Sequence, residues 1–148
     1  QFLSYNPITM KLYSEIIFPK LYDFILGTGV FDNYRKKVLK SASGKILEIG
    51  IGTGKNLEFY PDNINELWAI DPSPGMLKQL NKKLEKQKIK VHFEQTGAEN
   101  LPYENEQFDT VVSTITLCSI PELSRALSEI KRVLKQDGHF FFGSWIKQ

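Results

Sequence analysis

Glu48-Ile49-Gly50-Ile51-Gly52-Thr53-Gly54 is the stretch on which the fold turns. It continues Lys45-Ile46-Leu47, a short apolar run that reads as a β-strand, and it opens a segment over Gly52–Tyr60 that reads as a short helix. A glycine at 50 permits the sharp turn out of the strand. Gly52 lets a ligand approach bare backbone, and Gly54 allows close packing behind the loop. Lys55 is followed by Asn56, so the loop is not a P-loop. Downstream, Glu66 to Ile70 reads as a second strand ending at Asp71, 21 residues after Gly50. A carboxylate at that strand end suits paired ribose hydroxyls.

Further strands are expected at Ile89–Phe93, Phe108–Ser113 and His139–Phe142. The runs at 46–49, 108–113 and 139–142 are nearly continuous in apolar residues, the signature of a parallel sheet covered on both faces. Helices fill the gaps. Ser73 to Lys88 carries Met76, Leu77, Leu80 and Leu84 on one stripe, with Pro74 in its first turn. Glu122 to Lys135 carries Leu123, Ala126, Leu127, Ile130, Val133 and Leu134, with Ser119 and Glu122 spaced as a capping box and Asp137-Gly138 as the closing turn. Between Phe93 and Phe108 there is little room for a helix. Strands and helices alternating at these lengths predict an α/β doubly wound domain.

Residues 1–44 form a helical preamble: helical pieces over Met10–Leu26 interrupted by Pro19, a helix over about Phe31–Lys40, and a linker from Ser41 to Gly44. Its aromatic residues read either as packing surface or as a lid over a pocket. The cofactor domain is expected over 45–148.

The 148 residues hold 19 Lys and Arg against 17 Asp and Glu, a net charge of +2. That balance makes no broad basic surface, so nucleic acid is not the expected partner. A single cysteine, Cys118, excludes an internal disulfide and a Cys-rich zinc site, and it is expected to sit buried as a small apolar side chain. His92 and His139 lack metal-ligand spacing, so no metal is expected. No apolar run is long enough to span a bilayer, and the expected location is cytoplasmic. The sequence sets no oligomeric state.

These residues carry the inference as far as an adenosine-containing cofactor. A nicotinamide enzyme would need a pyrophosphate at the helix N-terminus. Glu48 would put a carboxylate near that end of the pocket, which fits better with a cofactor bearing a cationic amine. Glu48 is also expected to order the loop by accepting its backbone N–H groups.

Five segments in chain order resemble class I S-adenosylmethionine-dependent methyltransferases, most nearly the type 11 methyltransferase domain group, over about residues 45–145. They are Glu48–Gly54, Asp71-Pro72-Ser73-Pro74-Gly75-Met76, Gly97–Tyr103, Phe108–Ser113 and Ile130–Gly138. The resemblance implies a Rossmann-like, mostly parallel sheet with strand order 3-2-1-4-5. It implies S-adenosylmethionine as cofactor and a small molecule as methyl acceptor. The cofactor-side residues it implies are Glu48, Gly50, Gly52, Gly54, Asn56, Asp71, Pro72, Met76, Ala98, Glu99 and Thr114. Leu117, with Tyr5, Tyr13 and Phe18 of the preamble, would line the acceptor side. Asn56–Pro61 and Thr116–Ile120 also resemble the thiol-methylating branch that has been linked to phosphatidylethanolamine methylation, so a thiol or lipid-like acceptor is the narrower expectation.

Two departures stand out. Gln136-Asp137-Gly138 replaces the family's usual Pro-Gly-Gly turn, and the chain stops just past the fifth strand, without the family's C-terminal hairpin strands. The second departure predicts a truncated or minimal chain. Two alternatives stay open: a nicotinamide-dependent oxidoreductase, and a non-catalytic cofactor-binding protein with an incomplete substrate pocket.

Overall fold

The computed structural model describes Gly29 and residues 31–143. The helical pieces expected over Met10–Leu26, the acceptor-side candidates Tyr5, Tyr13 and Phe18, and the lid they would form lie outside the described residues.

The elements run α1 (Asp32–Leu39), β1 (Ile46–Ile49), β2 (Glu66–Ile70), α2 (Pro74–Leu84), β3 (Lys90–Glu94), β4 (Phe108–Thr114), α3 (Leu123–Val133) and β5 (Leu134–Gly143). The five strands form one sheet in the order β3-β2-β1-β4-β5, and every pairing is parallel. This is the doubly wound order expected. Alternate residues of each strand feed two apolar layers. Ile46, Leu67, Ala69 and Val112 pack with Leu39 at the end of α1, with Ala42 just after it and with Leu80 of α2. Leu47, Ile49, Ile70 and Val111 pack on the other face with Ala126, Ile130 and Val133 of α3. Each fully buried Leu or Ile of this kind contributes roughly 1.5–3 kcal/mol.

Several local expectations change. The helix expected over Gly52–Tyr60 is a run of turns ending in a 3₁₀ turn at Leu57–Phe59. Gly52 and Gly54 hold φ of 56° and 78°, which a right-handed helix cannot accommodate. The capping box at Ser119 and Glu122 does not form. Glu122 precedes α3 without a side-chain cap, and the Ser119 hydroxyl donates instead to Thr116 O at 2.8 Å. The last strand begins at Leu134, five residues ahead of expectation, because Leu134 pairs with Phe108 before pairing resumes at Thr110 and His139. Residues 135–138, including the expected Asp137-Gly138 turn, lie within that register shift. Cys118 is exposed rather than buried.

Helix α2 begins as its sequence predicts. Pro74 occupies the first turn, and the Ser73 hydroxyl accepts from Met76 N at 3.4 Å. Ser73→Ala is expected to lower unfolding stability by about 0.5–1 kcal/mol, read as a lower urea midpoint with unchanged slope.

No helix is formed between β3 and β4. The sheet face there stays open as a groove of about 890 Å³ lined by Lys45, Trp68, His92, Tyr103 and neighbouring residues. The groove faces the α3 side and does not include the glycine loop. Among the described residues, no helix is long and apolar enough to cross a membrane.

Candidate functional site

At the C-terminal edge of the sheet, β1 runs into the glycine loop. Gly50 and Ile51 both donate backbone N–H bonds to Ile70 O, at 2.9 and 3.1 Å, so the loop is pinned to the end of β2. Asp71 stands at that end. Its Oδ2 accepts from Gly52 N and its Oδ1 from Ser73 N, each at 2.9 Å. One carboxylate thus joins the loop to the entry of α2. Burial raises the Asp71 pKa, and the Ser73 and Gly52 N–H groups pull it back. A carboxylate oxygen has two lone pairs, so each keeps capacity for a ligand hydroxyl.

The opposite wall is the turn after β4. Ile115 holds φ of 60°, a left-handed conformation rare for a β-branched residue, and donates its N–H to Gly143 O at 2.8 Å. Strain of this kind costs roughly 1–2 kcal/mol and gathers at functional sites. The turn seats Thr116 over the loop, where its hydroxyl donates to Thr114 O at 3.1 Å. A Cβ at Gly50 would land in the Thr116 side chain, which explains why that position holds glycine. A Cβ at Gly54 would meet Leu80 Cδ1 at 2.8 Å, so that glycine serves contact with α2.

Beneath the loop lies a buried polar network. Asn56 Nδ2 donates to Glu48 Oε1 at 2.9 Å and to Thr114 Oγ1 at 2.8 Å. The Tyr60 hydroxyl donates to Glu48 Oε2 at 2.8 Å. Glu48 is only 1% exposed, and burial pushes its pKa up to about 7 despite Tyr60, Asn56 and the nearby Arg35 charge. Burial and the Glu48 carboxylate together keep the Tyr60 phenol protonated, as a donor. Glu48 therefore orders the loop, but through side chains rather than the backbone N–H groups expected, and its charge is sealed under the loop instead of standing at the pocket end.

The remaining candidates are distributed as follows. Ala98 is buried in the α3-side layer, and Glu99 is half-buried with its carboxylate folded back over Gly97. Met76 is buried in the first turn of α2, while Pro72 is exposed. Leu117 begins a 3₁₀ turn at Leu117–Ser119, on the same edge as Thr114. Tyr60 and Ile115 were missed as site residues by sequence reasoning. Tyr60 reads as one more core aromatic, and nothing in Ser113-Thr114-Ile115 announces a left-handed residue. Among the described residues, no group of three His, Cys, Asp or Glu side chains is placed to hold a metal ion.

The family model described as a methyltransferase domain matches residues 47–142. The chain belongs to the methyltransferase domain family. It is 34% identical over 123 residues to thiol S-methyltransferase TMT1B of Homo sapiens, covering 74% of this chain and 50% of that protein. It is 32% identical over 123 residues to phosphatidylethanolamine N-methyltransferase of Cereibacter sphaeroides, covering 80% of this chain and 60% of that one. Among solved structures, a SAM-dependent methyltransferase from Thermotoga maritima superposes with a TM-score of 0.67 at 26% identity, covering 88% of this chain and 59% of that chain. The chain spans about half the length of the curated relatives it matches.

S-adenosylmethionine is the cofactor of this methyltransferase domain. The residues fit it. Asp71 sits at the strand edge with free lone pairs, Gly50, Gly52 and Gly54 leave backbone bare of side chains while Ile51 and Thr53 are buried, and the buried Asn56 Oδ1 has no hydrogen-bond partner among the described residues.

Proposed function

We propose that this domain transfers the methyl group of S-adenosylmethionine to a small-molecule acceptor, of thiol or lipid-like character. The observation that carries the reading is Asp71, held at the end of β2 between Gly52 N and Ser73 N with acceptor capacity to spare. In this role Asp71 takes the ribose hydroxyls. Gly50, Gly52 and Gly54 let the ligand lie on bare backbone. Ala98 and Glu99 border the adenine, with Pro72 and Met76 flanking the adenosine. Asn56 and Thr114, anchored by Glu48, support the methionine end.

The cofactor supplies a methyl group on a sulfonium, electrophilic without metal assistance. What the chain adds is alignment and exclusion of water, and ideal alignment of reacting groups is worth up to ~7–11 kcal/mol. A thiol acceptor suits a site in which no general base has been assigned, because thiols ionise near pH ~8.5 unaided. The thiol S-methyltransferase and phosphatidylethanolamine N-methyltransferase relatives support the two acceptor classes. A cytoplasmic location is part of the proposal.

The test is formation of S-adenosylhomocysteine from S-adenosylmethionine with alkyl thiols and with phosphatidylethanolamine vesicles. Turnover with one class is expected. Cofactor binding without turnover on either would favour the non-catalytic alternative, and preferential binding of NADH would overturn the reading.

A further inference from the structure

The polar row under the glycine loop continues beyond Asn56 and Thr114. In the sheet Thr114 lies beside Gly143 of β5. Laterally paired residues point to the same face, one strand spacing of ~4.8 Å apart. On that face, a Cβ at Gly143 would fall on the phenol oxygen of Tyr34, which reaches in from α1. Tyr34 Oη therefore occupies the place of the missing side chain, next to Thr114 Oγ1, which in turn accepts from Asn56.

Two atoms of this row are buried without a hydrogen-bond partner among the described residues: Tyr34 Oη and Asn56 Oδ1. Native interiors rarely leave such atoms unmet, so each points to a partner beyond the described residues. Their chemistry is complementary. Asn56 Oδ1 is an acceptor, and both Nδ2 hydrogens are already committed to Glu48 and Thr114. Tyr34 offers a hydroxyl donor, and burial holds its pKa above the ordinary value, which preserves that donor.

We infer that Tyr34 and Asn56 recognise the amino-acid end of S-adenosylmethionine, the Tyr34 phenol donating to its carboxylate and Asn56 Oδ1 accepting from its ammonium. The donor over β5 and the acceptor on the β1 side flank Thr114, so the carboxylate and the ammonium of one zwitterionic amino-acid group would meet them from the same face of the sheet. This inference rests on the proposed function and deepens it, since Tyr34 has no place in the sequence motifs of the loop.

Calorimetric titration of the whole chain tests it without turnover, using S-adenosylhomocysteine, its decarboxylated analogue and its N-acetylated analogue. The parent should bind S-adenosylhomocysteine about tenfold more tightly than the decarboxylated compound, the worth of one charge-assisted hydrogen bond. Tyr34→Phe removes only the hydroxyl and keeps the ring against Gly143. It should lose about tenfold on S-adenosylhomocysteine and nothing on the decarboxylated analogue. An equal loss on both ligands, or none on either, overturns the role of Tyr34. N-acetylation should weaken binding to the parent about tenfold, and unchanged affinity overturns the role of Asn56. A parent that binds none of the three compounds overturns the proposed function, and this inference with it.

Discussion

Asp71→Ala is expected to weaken binding of S-adenosylhomocysteine by about two to four powers of ten. Two ribose hydroxyls donating to one carboxylate make two charge-assisted bonds, worth roughly 1.5–3 kcal/mol each, and every ~1.4 kcal/mol is a tenfold change. The same substitution unties Gly52 N and Ser73 N, so the loop and the entry of α2 loosen together. That second effect should appear separately, as a fall of about 1–3 kcal/mol in unfolding stability measured without ligand. Asp71→Asn keeps an acceptor oxygen but no charge, and should fall between parent and alanine in both measurements. Calorimetry on folded protein decides the matter: equal affinities in parent and Asp71→Ala would remove Asp71 from the ribose.

Glu48 should make the protein less stable at alkaline pH than at acid pH. Its pKa rises from an ordinary 4.5 to about 7 on folding, chiefly because burial disfavours the carboxylate. The folded state therefore holds a proton that the unfolded chain has already released. Stability from this group is fully present below pH 4.5 and declines as pH rises through 7. The 4.5-to-7 shift corresponds to about 3 kcal/mol. Urea unfolding of the parent at pH 5 and pH 8 should reveal most of that difference. Glu48→Gln, which keeps the shape and an acceptor for Tyr60 or Asn56, should flatten the profile between these values. A parent with no loss of stability across this window, or a glutamine variant with the same slope, would rule out a buried titrating Glu48.

Much of the architecture is written in local pattern. Leu47 and Ile49 alternate with Ile46 and Glu48, yet all four are buried, as a strand covered on both faces requires. Together with the apolar stripes of α2 and α3, that predicts a doubly wound sheet from short-range information. Gly50, Gly52, Gly54 and Asp71 are legible for the same reason, because left-handed backbone and a strand-end acid leave their mark in residue type and spacing. Local pattern fails where backbone geometry depends on distant partners. The segment after Gly54 looks helical but stays in turns, since Asn56 and Tyr60 are drawn to Glu48, 8 and 12 residues away. Leu134 continues the apolar stripe of α3, yet pairing with Phe108 takes it into β5.

What the sequence determined by itself, then, is the order of elements, the glycine loop and the acid at the end of β2. Each follows from propensity, periodicity and the steric freedom of glycine, properties a residue carries with it. Only the tertiary structure decided that Glu48 is sealed among Tyr60, Asn56 and the Arg35 charge, that Asp71 ties Gly52 to Ser73, and that Tyr34 fills the space beside Gly143. Such contacts join residues on different strands and helices. Their energies depend on burial and on which neighbour arrives first at a hydrogen-bonding group, and neither exists until the sheet has closed around them.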